Sequence, residues 1–319
     1  MRTWSRLGQR GTFFGVAMLE IAEQMEKLKL LTADLSLLSG MERFIKSYPN
    51  QFLNVGIAEQ NMIGIAAGLA MEGYCVCATT YASFIAVRSL EHVRQHLSYL
   101  ECNVKLVGSA AGVIAARSGV SHWATEDIAF MRALPNMIVL SAADSLDAYK
   151  IAQYAMTNDK PMYIRLSGGV NCPIVNHEDY EFQMGKAVTL CEGWDVALIG
   201  TGLMVNEALK AATILQEKGI SCSVINMHTI KPLDTSTLDK VFEKHQLVVS
   251  LEEHNVVGGL GSAIAEYKAT LESTPRQIFI GFPDCFAEAG SQRYVWRQRG
   301  MTDEQIAQKI LEELNKKKK

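Results

Sequence analysis

The sequence predicts an α/β protein of two doubly wound domains, on three observations. Short apolar runs alternate with helical patterns almost throughout, the alternation breaks once over 168–185, and 319 residues suit two ordinary domains better than one. Hydrophobic residues make up 48% of the chain and charged residues 20%, so both halves can bury a full core.

Taken in order, apolar runs at 28–32, 75–80, 104–109, 137–141 and 161–166 predict strands, with helices expected at 17–27, 58–72, 83–99, 124–134 and 145–157. Five strands with intervening helices imply a largely parallel sheet, whose strand order the sequence does not disclose. Gly168, Gly169, Pro173 and a cluster of acids then mark a linker, so the two α/β domains meet near residue 180. Beyond it, strands expected at 196–199, 223–227, 247–251 and 277–280 alternate with helices near 205–218, 235–244, 261–270 and 303–315. There is no internal repeat and no low-complexity tract.

Composition excludes several function classes. A net charge of −3 argues against nucleic acid or a polybasic membrane contact, and the four lysines at 316–319 read as a solvated helix end. Seven cysteines are scattered without any CxxC, which is the thiol usage of a cytoplasmic protein and not a disulfide framework or a zinc site. The first fifteen residues have no apolar core of a signal peptide, and the apolar stretch 62–71 is about half of the roughly 20 residues a membrane span needs. A soluble cytoplasmic α/β protein without membrane or nucleic-acid partners is expected.

In open parallel sheets, ligands sit beyond the C-terminal ends of strands. Those positions are 34–40, 81–84, 110–123, 142–145 and 167–169 in the first domain. The segment NVGIAEQNMIGIAAGLA, 54–70, is apolar and small on nearly every face after its first turn, so a helix buried on all sides is expected. Glu59 stands at its start. By residue type alone it is either an acid complementing the helix dipole, or a buried carboxylate that must be protonated, paired or bound to a ligand.

GIAEQNMIGIAAGLA resembles the signature of the transketolase and deoxyxylulose-phosphate synthase superfamily of thiamine diphosphate enzymes. The resemblance continues in order through LGQRGTFFG, LTADLSLLSGMERF, TTYASF, SHWATEDIAFMRALPNM, the KPLD turn and EEHNVVGGLGSA, over essentially the whole chain. It implies a pyrimidine-binding domain over 1–175 and a transketolase C-terminal domain over 176–319. The diphosphate-binding domain of the family carries a GDG motif followed by Asn, which holds Mg2+; no GDG occurs in this sequence. The resemblance therefore implies the C-terminal subunit of a split transketolase. An N-terminal partner subunit would complete the site with Mg2+ and the diphosphate end of the cofactor, in an α2β2 heterotetramer.

By motif position, Glu59 matches the glutamate that hydrogen-bonds the aminopyrimidine ring nitrogen and so helps to generate the carbanion nucleophile. Burial suits that work by raising a carboxyl's proton affinity toward that of the ring nitrogen. Tyr81 and Phe84 match aromatics that pack on the aminopyrimidine, with core packing as the alternative. His122 matches a histidine that contacts the donor's hydroxyls; a structural histidine is the alternative. Arg10 resembles an arginine near the substrate phosphate, with a surface role equally open. Thr125, Glu126 and Asp127 read as helix-start residues. Arg88, Glu91 and Arg94, at i, i+3 and i+6, read as an ion-paired stripe facing an interface. No residue of this chain is assigned to the metal.

Departures from the family pattern bear on substrate. Ala110 stands where phosphate-using relatives carry histidine, Gly168 where they have arginine, Ser118 where many place an aspartate, and Trp123 where a glutamine is common. Much of the usual phosphate clamp is missing, with Arg117 or the partner chain left to compensate. A branched sugar, or one whose anionic group is held differently or absent, is expected. In the second domain, Glu252, Glu253, His254, Gly258, Gly259 and Gly261 form a strand-end loop that reads either as an anion site at a helix start or as a tight glycine turn for close packing. No catalysis is assigned there. Ketol transfer leads over the β chain of a 2-oxo acid dehydrogenase's first component, a deoxyxylulose-phosphate synthase and a degenerate scaffolding or regulatory chain.

Overall fold

Apolar runs too short for helices extend here as strands covered on both faces: every residue of Val104–Ser109 and Met162–Leu166 is buried. The computed structural model describes residues 2–286 and 288–316, so the lysines at 317–319 lie outside the described residues. The strands are β1 (Leu28–Thr32), β2 (Phe52–Asn54), β3 (Cys75–Tyr81), β4 (Val104–Ser109), β5 (Ile138–Ser141), β6 (Met162–Leu166), β7 (Val188–Cys191), β8 (Val196–Gly200), β9 (Cys222–Asn226), β10 (Thr229–Lys231), β11 (Leu247–Asn255) and β12 (Arg276–Phe282). They form a seven-stranded sheet ordered β10-β5-β6-β4-β3-β1-β2 and a five-stranded sheet ordered β12-β11-β8-β9-β7. All pairs are parallel except β10 with β5 and β7 with β9, the antiparallel edges.

Each sheet is sandwiched between helices. In the first, Phe13, Phe14 and Met18 pack with Ile151 and Ala155 on one face, while Met62, Ile63, Ile85 and Met131 pack on the other. In the second, Met204, Ala208, Ile306 and Ile310 cover one face, and Leu238, Leu260 and Ile264 the other. The two doubly wound α/β units expected from the alternation are present.

Three expectations are corrected. The helix Glu59–Met71 is not buried all round: Glu59, Met62, Ile63, Ala66 and Ala67 face inward, but Gln60, Asn61, Gly68 and Met71 are exposed. Among the described residues nothing lies within 4 Å of a Cβ built on Gly64 or Gly68, so they leave one small-residue face uncovered. The stretch 83–99 is not one α-helix. Phe84–Arg88 and Val93–Tyr99 wind in the wider π form around Leu90–His92, which spoils the three-residue face on which Arg88, Glu91 and Arg94 would align. Finally, the expected helix 124–134 is shorter, Asp127–Ala133, and leaves a long loop after β4.

The expected linker carries no helix or strand over 168–185, yet it is fixed. Asp144 accepts from the backbone N–H of Val175 and of Asn176, and fully buried Asp147 accepts from Asn176 Nδ2 (2.8 Å), Tyr180 Oη (2.7 Å) and Asn226 Nδ2 (2.8 Å). Burial pushes both carboxyls up in pKa, against these hydrogen bonds. β10 reinforces the join, because it leaves the second half of the chain to become an edge of the first sheet.

Candidate active site

β3 and β4 are neighbours in the middle of the first sheet, so the loops at their C-terminal ends meet. Tyr81 closes β3 and Phe84 opens the next helical turn, with ring centroids 5.6 Å apart, edge to face. His122, in the long loop after β4, packs edge-on to both rings, 5.6 Å from Tyr81 and 5.5 Å from Phe84. Ser121 Oγ lies 3.0 Å from His122 Nδ1. Side chains from two separate loops thus form one aromatic cluster.

Glu59 reaches this cluster through a residue whose role the sequence does not disclose. Arg88 Nη1 donates to Glu59 Oε1 and Oε2, both at 2.9 Å, and the guanidinium lies 4.1 Å from the centre of the Phe84 ring. The Glu59 carboxylate is buried while half of the Arg88 side chain is exposed. Glu59 is therefore a buried carboxylate with a charge partner, and Arg88 pairs with it and not with Glu91. The i, i+4 spacing of Phe84 and Arg88 is the available signal, since guanidinium over an aromatic face is a stable arrangement.

The cluster opens on a cavity of about 390 Å³ lined by Arg10, Leu38, Tyr81, Ala110, Arg117 and Ser118, among others. Arg10 comes from the last turn of the helix Arg2–Thr12, and burial pushes its pKa down, opposed by nearby Tyr81. All six sequence-derived candidates, Arg10, Glu59, Tyr81, Phe84, Arg117 and His122, lie in this one region. Ala110 and Ser118 line the cavity too. Gly168 does not: a Cβ there would fall 2.7 Å from Cys172 Sγ and 2.7 Å from Gln9 Cδ, because buried Gln9 accepts from the Gly168 N–H and donates to Ala142 O. Gln9 fills the place an arginine at 168 would need. Trp123 is buried against the second domain's core and is no part of the cavity wall.

Asp127 is more than a helix-start acid. It is fully buried, accepts from Arg165 Nε (2.8 Å) and from Tyr163 Oη (2.7 Å), and anchors the end of the His122 loop to β6. In the second domain, the glycine loop is a packing turn: Glu252 accepts from the N–H groups of Leu260 (2.7 Å) and Gly261 (2.9 Å), so the chain's own carboxylate occupies that helix start. Glu253 points the other way, toward the first domain. Its Oε1 accepts from Val113 N (3.3 Å), Gln292 Nε2 (2.7 Å) and Trp296 Nε1 (2.8 Å). Burial pushes its carboxyl up to about 7, opposed chiefly by Arg165.

With that geometry in place, comparison with known proteins decides the family. The transketolase pyrimidine-binding domain model matches residues 10–170, and the transketolase C-terminal domain model matches 185–306. The chain belongs to the transketolase family. It is 38% identical to a 6-deoxy-6-sulfo-D-fructose transketolase chain of Clostridium sp. (strain MSTE9), over 91% of this chain and 89% of that one. It is 34% identical to one of the chains of an apulose-4-phosphate transketolase from Phocaeicola vulgatus, over 95% of this chain and 96% of that one. A solved structure of a split gene transketolase, an inactive β4 tetramer, matches with a TM-score of 0.86 and 36% identity, covering 96% of this chain and 97% of that one.

Transketolases depend on thiamine diphosphate, and the residues here suit its aminopyrimidine end: a carboxylate at a buried helix start beside half-buried aromatic faces. Among the described residues no group of three or more His, Cys, Asp or Glu side chains could hold a metal ion. No helix among them is long and apolar enough to cross a membrane.

Proposed function

We propose that this chain is the C-terminal subunit of a split transketolase. It would move a two-carbon ketol unit from a ketose to an aldose, in a site completed by a second chain. The observation that carries this is the continuous run from Glu59 through Arg88, Phe84, Tyr81 and His122 into the cavity with Arg10 and Arg117. The bound cofactor would supply the carbanion that attacks and releases the sugar carbonyl. Glu59 would hold the aminopyrimidine ring nitrogen through one oxygen while Arg88 keeps the other. Tyr81 and Phe84 would fix the plane of that ring. His122, against both aromatics, would contact the donor's hydroxyls, and Arg10 and Arg117 would face the far end of the sugar.

The proposed pyrimidine-binding and C-terminal domains divide at 175/176, where Asp144 binds both backbone N–H groups. The diphosphate and Mg2+ are assigned to the partner, a chain bearing the GDG motif, in a cytoplasmic α2β2 assembly. The uncovered face of Glu59–Met71, with Gly64 and Gly68 open, and exposed Ile57, Leu37 and Leu38 around the site support the need for another chain. The relative described as an inactive β4 tetramer supports inactivity of the unpartnered chain. Substrates other than ordinary pentose phosphates are favoured by Ala110 and by the blocked position 168, and two relatives are named for a sulfosugar and for apulose 4-phosphate.

Reconstitution with a GDG-bearing partner tests the assignment. The complex with thiamine diphosphate and Mg2+ should turn over ketose and aldose, the chain alone should not, and Glu59→Ala should abolish turnover by the complex. Full activity of the Glu59→Ala complex would end the proposal. Xylulose 5-phosphate and ribose 5-phosphate kinetics equal to those of a housekeeping transketolase would end its substrate part.

A further inference from the structure

The cavity that receives Arg10, Tyr81 and Arg117 has a wall from the second domain, formed by Gly290, Ser291 and Gln292. Gln292 is half-buried, and one N–H of its amide is committed to Glu253 Oε1 at 2.7 Å. Its other N–H and its carbonyl oxygen have no protein partner among the described residues. A side-chain amide tethered at one hydrogen and free at the rest, beside two guanidiniums, is a recognition group.

Glu253 fixes both walls of the cavity at once. The Oε1 atom that holds Gln292 also accepts from Val113 N, three residues beyond Ala110 in the loop that carries Arg117 and Ser118. The same loop passes so closely that a Cβ on Gly112 would lie 2.2 Å from Glu253 Oε2. Trp296 Nε1 adds a third donor to Oε1, and the Glu253 carbonyl accepts from Arg165 Nη2 at 2.8 Å. The side chain is 1% exposed, so its position is set by packing and by these bonds. The distance between the Arg117 loop and the Gln292 wall therefore depends on one buried carboxylate.

We propose that Gln292 is a specificity-determining residue, whose free N–H binds the tetrahedral oxyanion, phosphate or sulfonate, at the far end of the sugar opposite Arg10 and Arg117. Glu253 is its positioning residue. This gives the C-terminal domain a direct part in substrate choice, and it rests on the ketol-transfer reading above.

The test compares acceptors that do and do not carry the anion. In the reconstituted complex, kcat/KM is measured for ribose 5-phosphate, for a sugar sulfonate of the same length, and for uncharged glycolaldehyde. Gln292→Glu should lower the ratio of either anionic acceptor to glycolaldehyde by about tenfold or more, through KM, since it replaces an attractive contact by a like charge. Gln292→Ala should lower it by less. The acceptor whose ratio falls further identifies phosphate or sulfonate as the natural group. Glu253→Ala should reproduce the KM effect and Glu253→Gln should rescue it, which a purely structural role would not do. Ratios unchanged in Gln292→Glu would overturn the proposal while leaving ketol transfer intact. A wild-type complex that transfers no ketol unit to any of these acceptors, nor to a branched sugar, would instead overturn the functional reading. In that event, side-chain amide NMR of the isolated chain titrated with inorganic sulfate still decides the site, because Gln292 must shift.

Discussion

Glu253→Gln keeps the shape of a side chain held by three donors and removes its titration. Burial lifts the Glu253 carboxyl from 4.5 to about 7, against the lowering effects of Arg165, Gln292, Trp296 and the Val113 N–H. The native state therefore keeps a proton that the unfolded chain releases between those values. The resulting stability is fully present below pH 4.5 and is lost as the pH rises through 7. Between pH 5 and 8 the loss attributable to this one group is roughly 2–3 kcal/mol, at about 1.36 kcal/mol per unit of pKa difference. The group is 1% exposed, so solvent screening gives no reason to discount it. Glutamine has no such dependence, and its amide nitrogen takes the place of Oε2, which faces Gly112 and has no hydrogen-bond partner among the described residues. Oε2 carries the proton of the neutral carboxyl, since Oε1 accepts all three donors. The protonated carboxyl leaves the same donor unsatisfied, so the amide adds little cost of its own while wild-type Glu253 holds its proton. Urea unfolding should thus show the variant close to wild type at pH 5 and roughly 2–3 kcal/mol more stable than wild type at pH 8. Parallel pH profiles of the two proteins would refute the reasoning, because they would mean that Glu253 is ionised in the native state throughout.

Other replacements probe the joints around the site. Gly112→Ala must place a Cβ at a φ of +66°, against a carboxylate pinned by three donors, and should cost roughly 3 kcal/mol or more in urea unfolding. Arg88→Ala leaves Glu59 buried without its partner; since Arg88 is half exposed, the cost should be only about 1 kcal/mol, and a double-mutant cycle with Glu59→Gln should recover most of it. Asp147→Ala strands the donors of Asn176, Tyr180 and Asn226, so it should lose at least ~3 kcal/mol and open 168–185 to limited proteolysis under native conditions.

How far the sequence discloses this protein depends on where a residue's partners lie. Strands β3, β4, β6, β8 and β11 are legible because both of their faces are buried, and an apolar run is the direct consequence of that. The short edges β2, β7 and β10 are not. Each has three or four residues, and β7 alternates between half-buried and exposed positions, leaving too little pattern to rise above a loop. Glu59, Tyr81, Phe84 and His122 can be singled out because contiguous motifs carry them, and the sheet then brings them together.

Arg88 and Gln292 are different. Arg88 reads as a partner of Glu91 only if an ordinary helical period is assumed, and the segment winds with wider turns. Gln292 sits in no motif at all; it reaches the cavity only because Glu253, at the end of a strand in the other sheet, pulls it there. Two acids inside the apolar run of β11 are the visible trace of that link, since a carboxylate is not carried into a sheet core without donors to meet it. By that physics, Glu252 and Glu253 each demand a destination. Glu252 finds its own helix start, and Glu253 finds the first domain. The cavity is consequently a property of both domains together, and a change at Glu253 should be felt at Arg117 as well as at Gln292.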